Sequence, residues 1–355
     1  METNGINDLH IGKYEKIISP NDLAAQFQLS KYARSTVTNG RSVVRSILDG
    51  KDERTLLVVG PCSIHNVKQA KEYASKLNSL REKVKDVFYV IMRTYLSKPR
   101  SGLGWNGLIT DPNLDYSFDI EKGLRLSREL LIHINELGLP CAAEIVDSLT
   151  PQFISDCLSY VAVGARTTES QIHKEVASGL SMPVGFKNST SGSVDVAINA
   201  VISARGARAF LGIDKNGRLA RVETIGNDYG HIILRGGDGG PNYDSESVKQ
   251  VREKIQNSGI ETKLVVDCSH GNSEKDHTKQ PEVFRNVIEQ IKNGNSGIVG
   301  IMLESNLKPG NQSIDTNRLH ELKYGVSITD KCLGWEQTEE VILDGYEKLK
   351  DEKIN

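Results

Sequence analysis

The chain has 355 residues, with 44 Lys or Arg and 46 Asp or Glu, giving a formal net charge of −2 at neutral pH. This balance argues against a basic surface built for nucleic acid or for anionic membranes, and no apolar stretch is long enough to span a bilayer. Five scattered cysteines without a CxxC pair, and a start that lacks the layout of a secretory signal, predict a cytoplasmic protein.

Residues 1–50 are predicted to form an N-terminal extension. The segment SPNDLAAQFQ is typical of a short capped helix, and TNGRSVVRSILDG is typical of an amphipathic helix closed by Gly50. We expect residues 51–355 to form one catalytic unit after this extension.

From Leu56 onward, eight short apolar runs alternate with segments of helical pattern. Continuous apolar strands separated by helices are typical of parallel strands covered by helices. The runs are LLVVG, FYVIM, CAAE, VAVGA, VGF, HIIL, LVVDCS and GIVGIML. They predict an α/β protein, a (β/α)8 TIM barrel, which typically takes about 250 residues and so leaves room for an extension and an insertion. A doubly wound open sheet is the alternative, but no GxGxxG follows the first strand.

One segment interrupts the alternation of strands and helices. Two β-rich arms flank Asn216-Gly217, a favourable pair for a tight hairpin turn. The sequence therefore predicts an inserted β-hairpin at about 207–229. Helices are predicted on either side of it and beyond, at 151–159, 168–180, 192–205, 243–258, 279–293 and 335–350.

Polar side chains stand at or just after the ends of all eight apolar runs. In a TIM barrel, the carboxyl ends of the strands build the active site at one rim. Because such groups are costly to bury, eight of them together indicate a ligand site. They are Cys62, Arg93, Glu144, Arg166, Lys187, Arg235, His270 and Glu304.

Four residues are candidates for a metal site: Cys62, His270, Glu304 and Asp330. Three of them end strands, and Asp330 lies in the loop after the last strand. Any one alone is more often a structural residue. A thiolate, an imidazole and two carboxylates at one rim form a mixed donor set for a divalent first-row ion.

A group of cations is predicted at the same rim, and Arg and Lys are the side chains that hold phosphates and carboxylates. Because the chain is nearly neutral, this local excess indicates an anionic ligand, although solvated surface charge would explain Lys98 and Arg100 alone. The group comprises Arg93, Lys98, Arg100, Arg166, Lys187 and Arg235. By contrast, His173 and His277 are expected to face solvent without a role.

Several motifs, in order along nearly the whole chain, resemble those of class I 3-deoxy-D-arabino-heptulosonate 7-phosphate (DAHP) synthases. They are GPCSIH, MRTYLSKPRSGLGWNGLITDP, GARTTESQIHKEVASGL, PVGFKN, ILRGG, DCSHGNS, ESNL and YGVSITD. The resemblance implies a metal-dependent condensation of phosphoenolpyruvate with erythrose 4-phosphate and water, the first step toward chorismate and the aromatic amino acids. VDCSHGN, FLGIDKNGRL and SGLSMPVGF are most similar to the tyrosine-inhibited branch.

The resemblance also implies roles for individual residues. It makes Cys62, His270, Glu304 and Asp330 ligands of Mn2+, Fe2+, Co2+ or Zn2+. It gives a phosphoenolpyruvate pocket of Arg93, Lys98, Glu144, Ala165 through its backbone, Arg166, Lys187 and Arg235. It places erythrose 4-phosphate on Lys98, Pro99, Arg100 and Ser101, beside Asp330. The family usually has Thr at the position of Ser101, and the following Gly102 is commonly Thr or Ser.

Three residues are expected to take part in the chemistry. Lys98 is the preferred proton donor to the new alkoxide, with a metal-held water as the alternative, and Glu144 would orient the attacking water. His270 is expected to be essential as a ligand of the metal, which would polarise the aldehyde oxygen.

Feedback regulation is implied by the resemblance alone. The extension and the hairpin would contribute to a pocket for tyrosine, and ordinary packing between these elements is the alternative explanation. The matching positions are Asp8, Gln152, Leu180, Ser181, Phe210 and Gly212. The resemblance further implies a homodimer or homotetramer.

Two other functions compete with this interpretation. A 3-deoxy-D-manno-octulosonate 8-phosphate synthase would use arabinose 5-phosphate instead, but the KPRSG loop, the extension and the hairpin favour the four-carbon aldehyde. A non-catalytic regulatory barrel should have lost a metal-binding or phosphate-binding residue, and all those named are present.

Overall fold

The computed structural model describes residues 6–100 and 102–350, so that Ser101 lies outside the described residues. Between residue 6 and the first strand the chain forms α1 (Pro20–Gln26) and α2 (Lys31–Leu48). Each begins at a serine whose side chain accepts a hydrogen bond from a backbone N–H of the first turn, Ser19 from Asp22 and Ser30 from Ala33.

The described residues after α2 contain ten strands, of which eight form a closed parallel barrel. They are β1 (Thr55–Gly60), β2 (Phe88–Arg93), β3 (Cys141–Ile145), β4 (Tyr160–Val163), β5 (Val184–Lys187), β6 (Ala209–Ile213), β7 (Leu219–Glu223), β8 (Gly230–Leu234), β9 (Leu264–Asp267) and β10 (Ile298–Glu304). The barrel order is β1-β10-β9-β8-β5-β4-β3-β2, and it closes where β1 pairs with both β2 and β10. The predicted TIM barrel is confirmed.

The remaining two strands, β6 and β7, form the antiparallel hairpin predicted between the fifth and sixth barrel strands. Its turn contains Gly217 at a φ of 75°, a left-handed conformation that glycine adopts without strain. The hairpin contacts the N-terminal extension, because Asn21 N donates to Lys215 O at 2.8 Å and the side chains of Asn21 and Asn216 are hydrogen-bonded.

Helices separate the barrel strands and cover the outside of the barrel. They are α3 (Val67–Val84), α4 (Ile120–Glu136), α5 (Pro151–Ile154), α6 (Gln171–Ser178), α7 (Asp195–Arg205), α8 (Ser245–Asn257), α9 (Gln280–Lys292) and α10 (Trp335–Lys350). The predicted helix at 151–159 is wrong in length, because α5 gives way to a 3-10 turn at Ser155–Cys157. There the Ser155 carbonyl accepts from Leu158 N at 3.2 Å and from Arg41 at 2.7 Å.

Helix α2 lies across the amino-terminal end of the barrel. Arg41 donates to Leu158 O just before β4, and Arg45 donates to Ser181 O just before β5. Val44 and Ile47 pack into the same apolar cluster as the inward-facing side chains of the barrel strands. Helix α2 therefore covers this end of the barrel, and the carboxyl ends of the strands form the open end.

Tyr160 and His231 form a buried polar pair inside the barrel. The hydroxyl of Tyr160 lies 2.7 Å from His231 Nε2, and His231 is 1% exposed. Since His231 Nδ1 lies 3.3 Å from the Tyr229 carbonyl, the neutral imidazole can donate there and accept from Tyr160.

A membrane-spanning helix needs about 20 predominantly apolar residues. Among the described residues, none of the helices is both long and apolar enough to cross a bilayer.

Candidate active site

Donor atoms for a metal ion meet at the carboxyl end of the barrel. Cys62 Sγ and carboxylate oxygens of Glu304 and Asp330 all lie within 4.8 Å of one another. His270 Nε2 lies 3.6 Å from Glu304 Oε1, so the imidazole borders the same group. A thiol, an imidazole and two carboxylates fit a divalent first-row ion, and we call these four residues the donor cluster.

The donor cluster is enclosed on one side and open on the other. Cys62 is 0% exposed and Glu304 is 1% exposed, whereas the side chain of Asp330 is 53% exposed. Burial raises the pKa of the Cys62 thiol to about 12, and the Glu304 carboxylate contributes to the increase. A metal ion binds the thiolate, so ion binding at this site would release a proton.

The segment after β10 carries Asp330 back to the strand ends. Ser305 N donates to Gly60 O at 2.9 Å, and Leu333 N donates to Glu304 O at 2.9 Å, which adds a short parallel bridge beside β10. The Lys98 ammonium, 3.1 Å from Asp330 Oδ2, is the main cause that lowers the pKa of Asp330.

His270 has an unusual backbone conformation for a residue with a side chain. Its φ is 57°, in the left-handed region, and Lys275 N donates to its carbonyl at 2.7 Å. Strained backbone of this kind concentrates at functional sites, where the surrounding structure holds it. In this conformation Nε2 of the imidazole lies 3.6 Å from Glu304 Oε1.

Two cations border the donor cluster directly. Arg93 donates to Glu304 Oε1 at 2.8 Å, and its Nη1 is buried without a hydrogen-bond partner among the described residues. Lys98 donates to Cys62 Sγ at 2.8 Å as well as to Asp330. Lys98 is placed by a tight loop in which Ser97 pairs with Gly107, whose Cβ, if present, would lie 2.4 Å from Leu96 O.

The other predicted cations lie along the neighbouring strands. Lys187 is 3% exposed and donates to Asp267 Oδ2 at 2.8 Å. Arg235 is 8% exposed, and its Nε is buried without a hydrogen-bond partner in the described part of the chain. Burial lowers the pKa of Arg235, which nearby Arg166 lowers further. Buried guanidinium N–H groups normally have a partner, so those of Arg93 and Arg235 indicate where an anion would bind.

Glu144 lies on β3, half-buried beside Gly164 at the end of β4. A Cβ on Gly164 would lie 2.0 Å from Glu144 Oε1, so the carboxylate occupies the space that a side chain would take. Ala165 is half-buried and Arg166 is exposed on the same loop, while Pro99 is half-buried and Arg100 is exposed on the loop after β2.

The predicted effector positions lie around the extension, α5 and the hairpin. Lys215 of the hairpin donates to Gln152 O, and Arg45 of α2 donates to Ser181 O. Phe210 and Leu180 pack against the main core cluster, and Gly212 lies against the Phe210 ring. Asp8 accepts a hydrogen bond from Tyr14 in the exposed segment before α1. A shared effector pocket stays a prediction.

Sequence reasoning missed two residues of the site. Asp267 is 0% exposed and pairs with Lys187, although a carboxylate within the apolar run LVVDCS was a visible signal. The Tyr95 ring lies 3.5 Å from Arg93 Cζ and 6.0 Å from Lys187 Nζ, and only the fold brings these groups together.

The expectation that His173 faces solvent is wrong. Its side chain is buried, with Nδ1 2.9 Å from Ser170 Oγ and Nε2 3.0 Å from Val146 O. The imidazole links α6 to the loop after β3 and so has a structural role.

The sequence model of the DAHP synthetase I family matches residues 26–342. The chain belongs to this family. It is 46% identical over 349 residues to the Tyr-sensitive phospho-2-dehydro-3-deoxyheptonate aldolase of Escherichia coli K12, covering 98% of each chain. The Phe-sensitive aldolase of the same organism is 47% identical over 336 residues, covering 95% of each chain. The structure of the aldolase from Francisella tularensis SCHU S4 superposes with a TM-score of 0.92 at 46% identity, covering 96% of this chain and 98% of that one.

Proposed function

We propose that the chain condenses phosphoenolpyruvate with erythrose 4-phosphate and water to give DAHP and phosphate. The observation that supports this most directly is that the donor cluster and the buried cations share the carboxyl end of one barrel. The names of the family members that cover almost the whole chain support the same reaction.

Cys62, His270, Glu304 and Asp330 would hold the divalent ion. When bound, an ion such as Mn2+, Fe2+, Co2+ or Zn2+ supplies Lewis-acid polarisation of a carbonyl oxygen. The four residues would fix the position of that polarised oxygen relative to the cations around them.

The buried cations would bind the anionic groups of phosphoenolpyruvate. Arg93, Lys187 and Arg235 offer fixed donors in a poorly hydrated pocket, where charge–charge contacts are stronger than in water. Ala165 would contribute through its backbone and Arg166 from the rim. The loop containing Lys98, Pro99, Arg100 and Ser101 would bind the phosphate of the aldehyde, with Asp330 beside it.

Bond formation joins C3 of phosphoenolpyruvate to the aldehyde carbon, while water adds at C2 and phosphate leaves with cleavage of its C–O bond. Burial lowers the pKa of Lys98, but Cys62 and Asp330 outweigh this effect and keep the ammonium protonated. Lys98 can therefore supply a proton to the new alkoxide. Glu144, beside Gly164, would orient the water.

A phosphate-release assay tests this proposal. We expect the purified chain to release phosphate from phosphoenolpyruvate only when erythrose 4-phosphate is present, and to stop when a chelator removes the metal. Arabinose 5-phosphate serves as the comparison aldehyde. Faster turnover with arabinose 5-phosphate would favour the octulosonate synthase, and no release with either aldehyde would favour a non-catalytic barrel.

We also propose that tyrosine inhibits the enzyme at a pocket formed by the extension (residues 1–50), α5, Leu180, Ser181 and the hairpin. The contacts of Asn21 and Gln152 with the hairpin support this location. Since Tyr-sensitive and Phe-sensitive relatives have nearly equal identity, the effector has to be measured. Titrating activity with tyrosine, phenylalanine and tryptophan would do so, and indifference to all three would refute feedback control.

The proposed assembly is a homodimer or homotetramer in the cytoplasm. All five cysteines are free and buried, which agrees with a reducing compartment. Sedimentation of the purified chain at several concentrations would give the stoichiometry, and a monomer throughout would contradict the assembly.

A further inference from the structure

Asp267 ends β9 and is completely buried beneath the donor cluster. Its Oδ2 accepts from Lys187 Nζ at 2.8 Å and lies 3.0 Å from His270 Nδ1. Its Oδ1 accepts from the backbone N of Ser269 at 3.0 Å and from the Ser269 hydroxyl at 2.6 Å. One carboxylate therefore contacts a residue of the donor cluster and a residue of the cation group.

We propose that Asp267 is a positioning residue that orients His270 and Lys187 together, so that metal affinity and phosphoenolpyruvate affinity both depend on it. Asp267 acts through these two side chains. The inference rests on the proposed function, because it takes His270 as a metal ligand and Lys187 as a phosphoenolpyruvate contact.

His270 is the side chain through which Asp267 would act on metal binding. His270 Nδ1 is hydrogen-bonded to Ser269 Oγ at 2.7 Å and lies 3.0 Å from Asp267 Oδ2, while the Ser269 hydroxyl donates to Asp267 Oδ1. With the ring proton on Nδ1, facing Ser269 and Asp267, Nε2 keeps a lone pair on the side of the ring that faces Glu304, 3.6 Å away. A carboxylate behind the imidazole fixes the tautomer and the orientation of a ligating histidine. The Ser269 hydroxyl, 2.7 Å from the same Nδ1, steadies the ring from the side. This support is needed because the left-handed backbone of His270 is strained.

Lys187 is the side chain through which Asp267 would act on phosphoenolpyruvate binding. An ammonium with 3% exposure is costly without an anionic partner, and Asp267 is the carboxylate within salt-bridge distance among the described residues. The Tyr95 ring lies 6.0 Å from the same ammonium on another side. Asp267 therefore keeps Lys187 charged and fixes the position of the Lys187 ammonium in the pocket.

A purely structural role is the alternative to this proposal. A buried ion pair that only supports the fold would change the free energy of unfolding when broken and leave ligand affinities alone. Asp267 is distinguished by its two simultaneous contacts, which lead to two different ligands. Binding measurements therefore separate the two explanations, whereas stability measurements do not.

The test is the substitution Asp267→Asn in the full chain, with Mn2+ as the metal probe. Chelator-treated protein is titrated with Mn2+ by calorimetry, and Mn2+-saturated protein is then titrated with phosphoenolpyruvate. We expect Mn2+ affinity to fall by about 10- to 100-fold, as for other outer partners of metal-ligating histidines. Phosphoenolpyruvate affinity should fall by about 10-fold or more, since Lys187 loses its charged hydrogen-bond partner.

The matched control is Asp156→Asn, which also removes a carboxylate from a buried cation. Asp156 pairs with Arg128, which is 2% exposed, on the outside of the barrel. We expect this variant to keep both affinities within about two-fold of wild type, well below the effect of an outer partner. A folded Asp267→Asn variant that binds either ligand as wild type does would overturn the proposal.

A second variant covers the case in which Asp267→Asn does not fold. The double substitution Asp267→Asn/Lys187→Met removes both charges of the buried pair, which proteins often tolerate. His270 still lacks its anionic acceptor in this variant, so Mn2+ binding should weaken as before, and wild-type Mn2+ affinity would refute the proposal. A wild-type chain that binds both ligands but makes no DAHP contradicts only the proposed function. A wild-type chain that does not bind Mn2+ overturns both.

Discussion

His270 has a strained backbone conformation, and its imidazole lies between the buried carboxylate of Asp267 and Glu304 of the donor cluster. Its φ of 57° is left-handed, and Asp267 and Ser269 hold the ring from behind. Such an arrangement costs free energy of folding and is retained where a side chain must point in one direction. Under the proposed function, the imidazole is the part of His270 that would bind the metal ion.

We expect His270→Ala to remove activity while the barrel stays folded. Because a ligand is lost, the decrease in turnover should exceed the roughly 100-fold that loss of an outer partner can cause. Phosphate release at saturating substrates measures the effect, and circular dichroism checks the fold. The control is His320→Ala, since His320 is exposed in a 3-10 turn and should leave turnover unchanged. Near-wild-type turnover of His270→Ala with a chelator present would show that the metal assignment is wrong.

Gly164 provides a way to move Glu144 without replacing it. The added methyl group of Gly164→Ala would meet Glu144 Oε1 at 2.0 Å, and the flexible carboxylate would have to turn away. If Glu144 orients the water, turnover should fall on the order of 100-fold, as for other small misplacements of catalytic groups.

The measurement for Gly164→Ala is phosphate release together with the thermal unfolding midpoint. Gly239→Ala is the matched control, because a methyl group there would contact only Ser191 O, at 4.0 Å. A fully active Gly164→Ala variant with a wild-type midpoint would exclude a role for the position of Glu144.

The sequence was sufficient to predict the location of polar residues that stand within or directly after one apolar run, because such residues are costly to bury. Cys62, Lys187 and Glu304 follow such runs, and the structure places all three at the carboxyl end of the barrel. Asp267 carries the same signal, but its partners depend on which strands face each other. Lys187 ends β5 and Asp267 ends β9, with β8 between them, and inward side chains of alternate barrel strands share a layer.

At the level of elements, the hairpin is an insertion that the barrel does not need for closure, since β5 pairs directly with β8. Its strands have one exposed face, and its turn contacts α1 through Asn21. The period-two pattern and the Asn-Gly turn made its existence predictable. Its contact with the extension was not predictable from spacing, because the two segments are almost 200 residues apart.

We expect Phe210→Ala to weaken tyrosine inhibition without changing the Michaelis constants. Phe210 is half-buried and packs against the core, whereas Leu211, on the opposite face of β6, is 74% exposed. Loss of one aromatic contact should raise the inhibition constant by about 10-fold, equivalent to roughly 1.4 kcal/mol. Tyrosine titrations of Phe210→Ala and of the control Leu211→Ala measure the difference. Equal inhibition constants in both variants and wild type would place the effector elsewhere.

At the level of the whole molecule, buried histidines make stability depend on pH. Burial lowers the pKa of His231 to about 4, compared with about 6.5 in an unfolded chain. Between these values the unfolded chain binds a proton that the folded chain does not bind, so the free energy of unfolding falls as pH is lowered. The slope is at most about 1.4 kcal/mol per pH unit for this group. His65, whose pKa burial also lowers to about 4, adds a slope of the same sign.

Urea unfolding at several pH values between 7 and 5 tests this dependence. His231→Gln keeps polar atoms near Tyr160 and removes the titrating group, so its slope should be shallower than that of wild type. His320→Gln, at an exposed position, should keep the wild-type slope. Identical slopes in all three proteins would show that His231 has the same pKa in the folded and unfolded chains.

The packing of α2 against one end of the barrel affects the order in which the substrates can bind. With Val44 and Ile47 packed into the amino-terminal end, the donor cluster and the buried cations are approached from the carboxyl end of the strands. Arg93 and Lys187 are 1% and 3% exposed, far below the exposed Arg100 on the loop above. Under the proposed function, phosphoenolpyruvate must therefore arrive before the aldehyde. Erythrose 4-phosphate that binds first would block the access of phosphoenolpyruvate to its pocket. Excess erythrose 4-phosphate would therefore act as a substrate inhibitor.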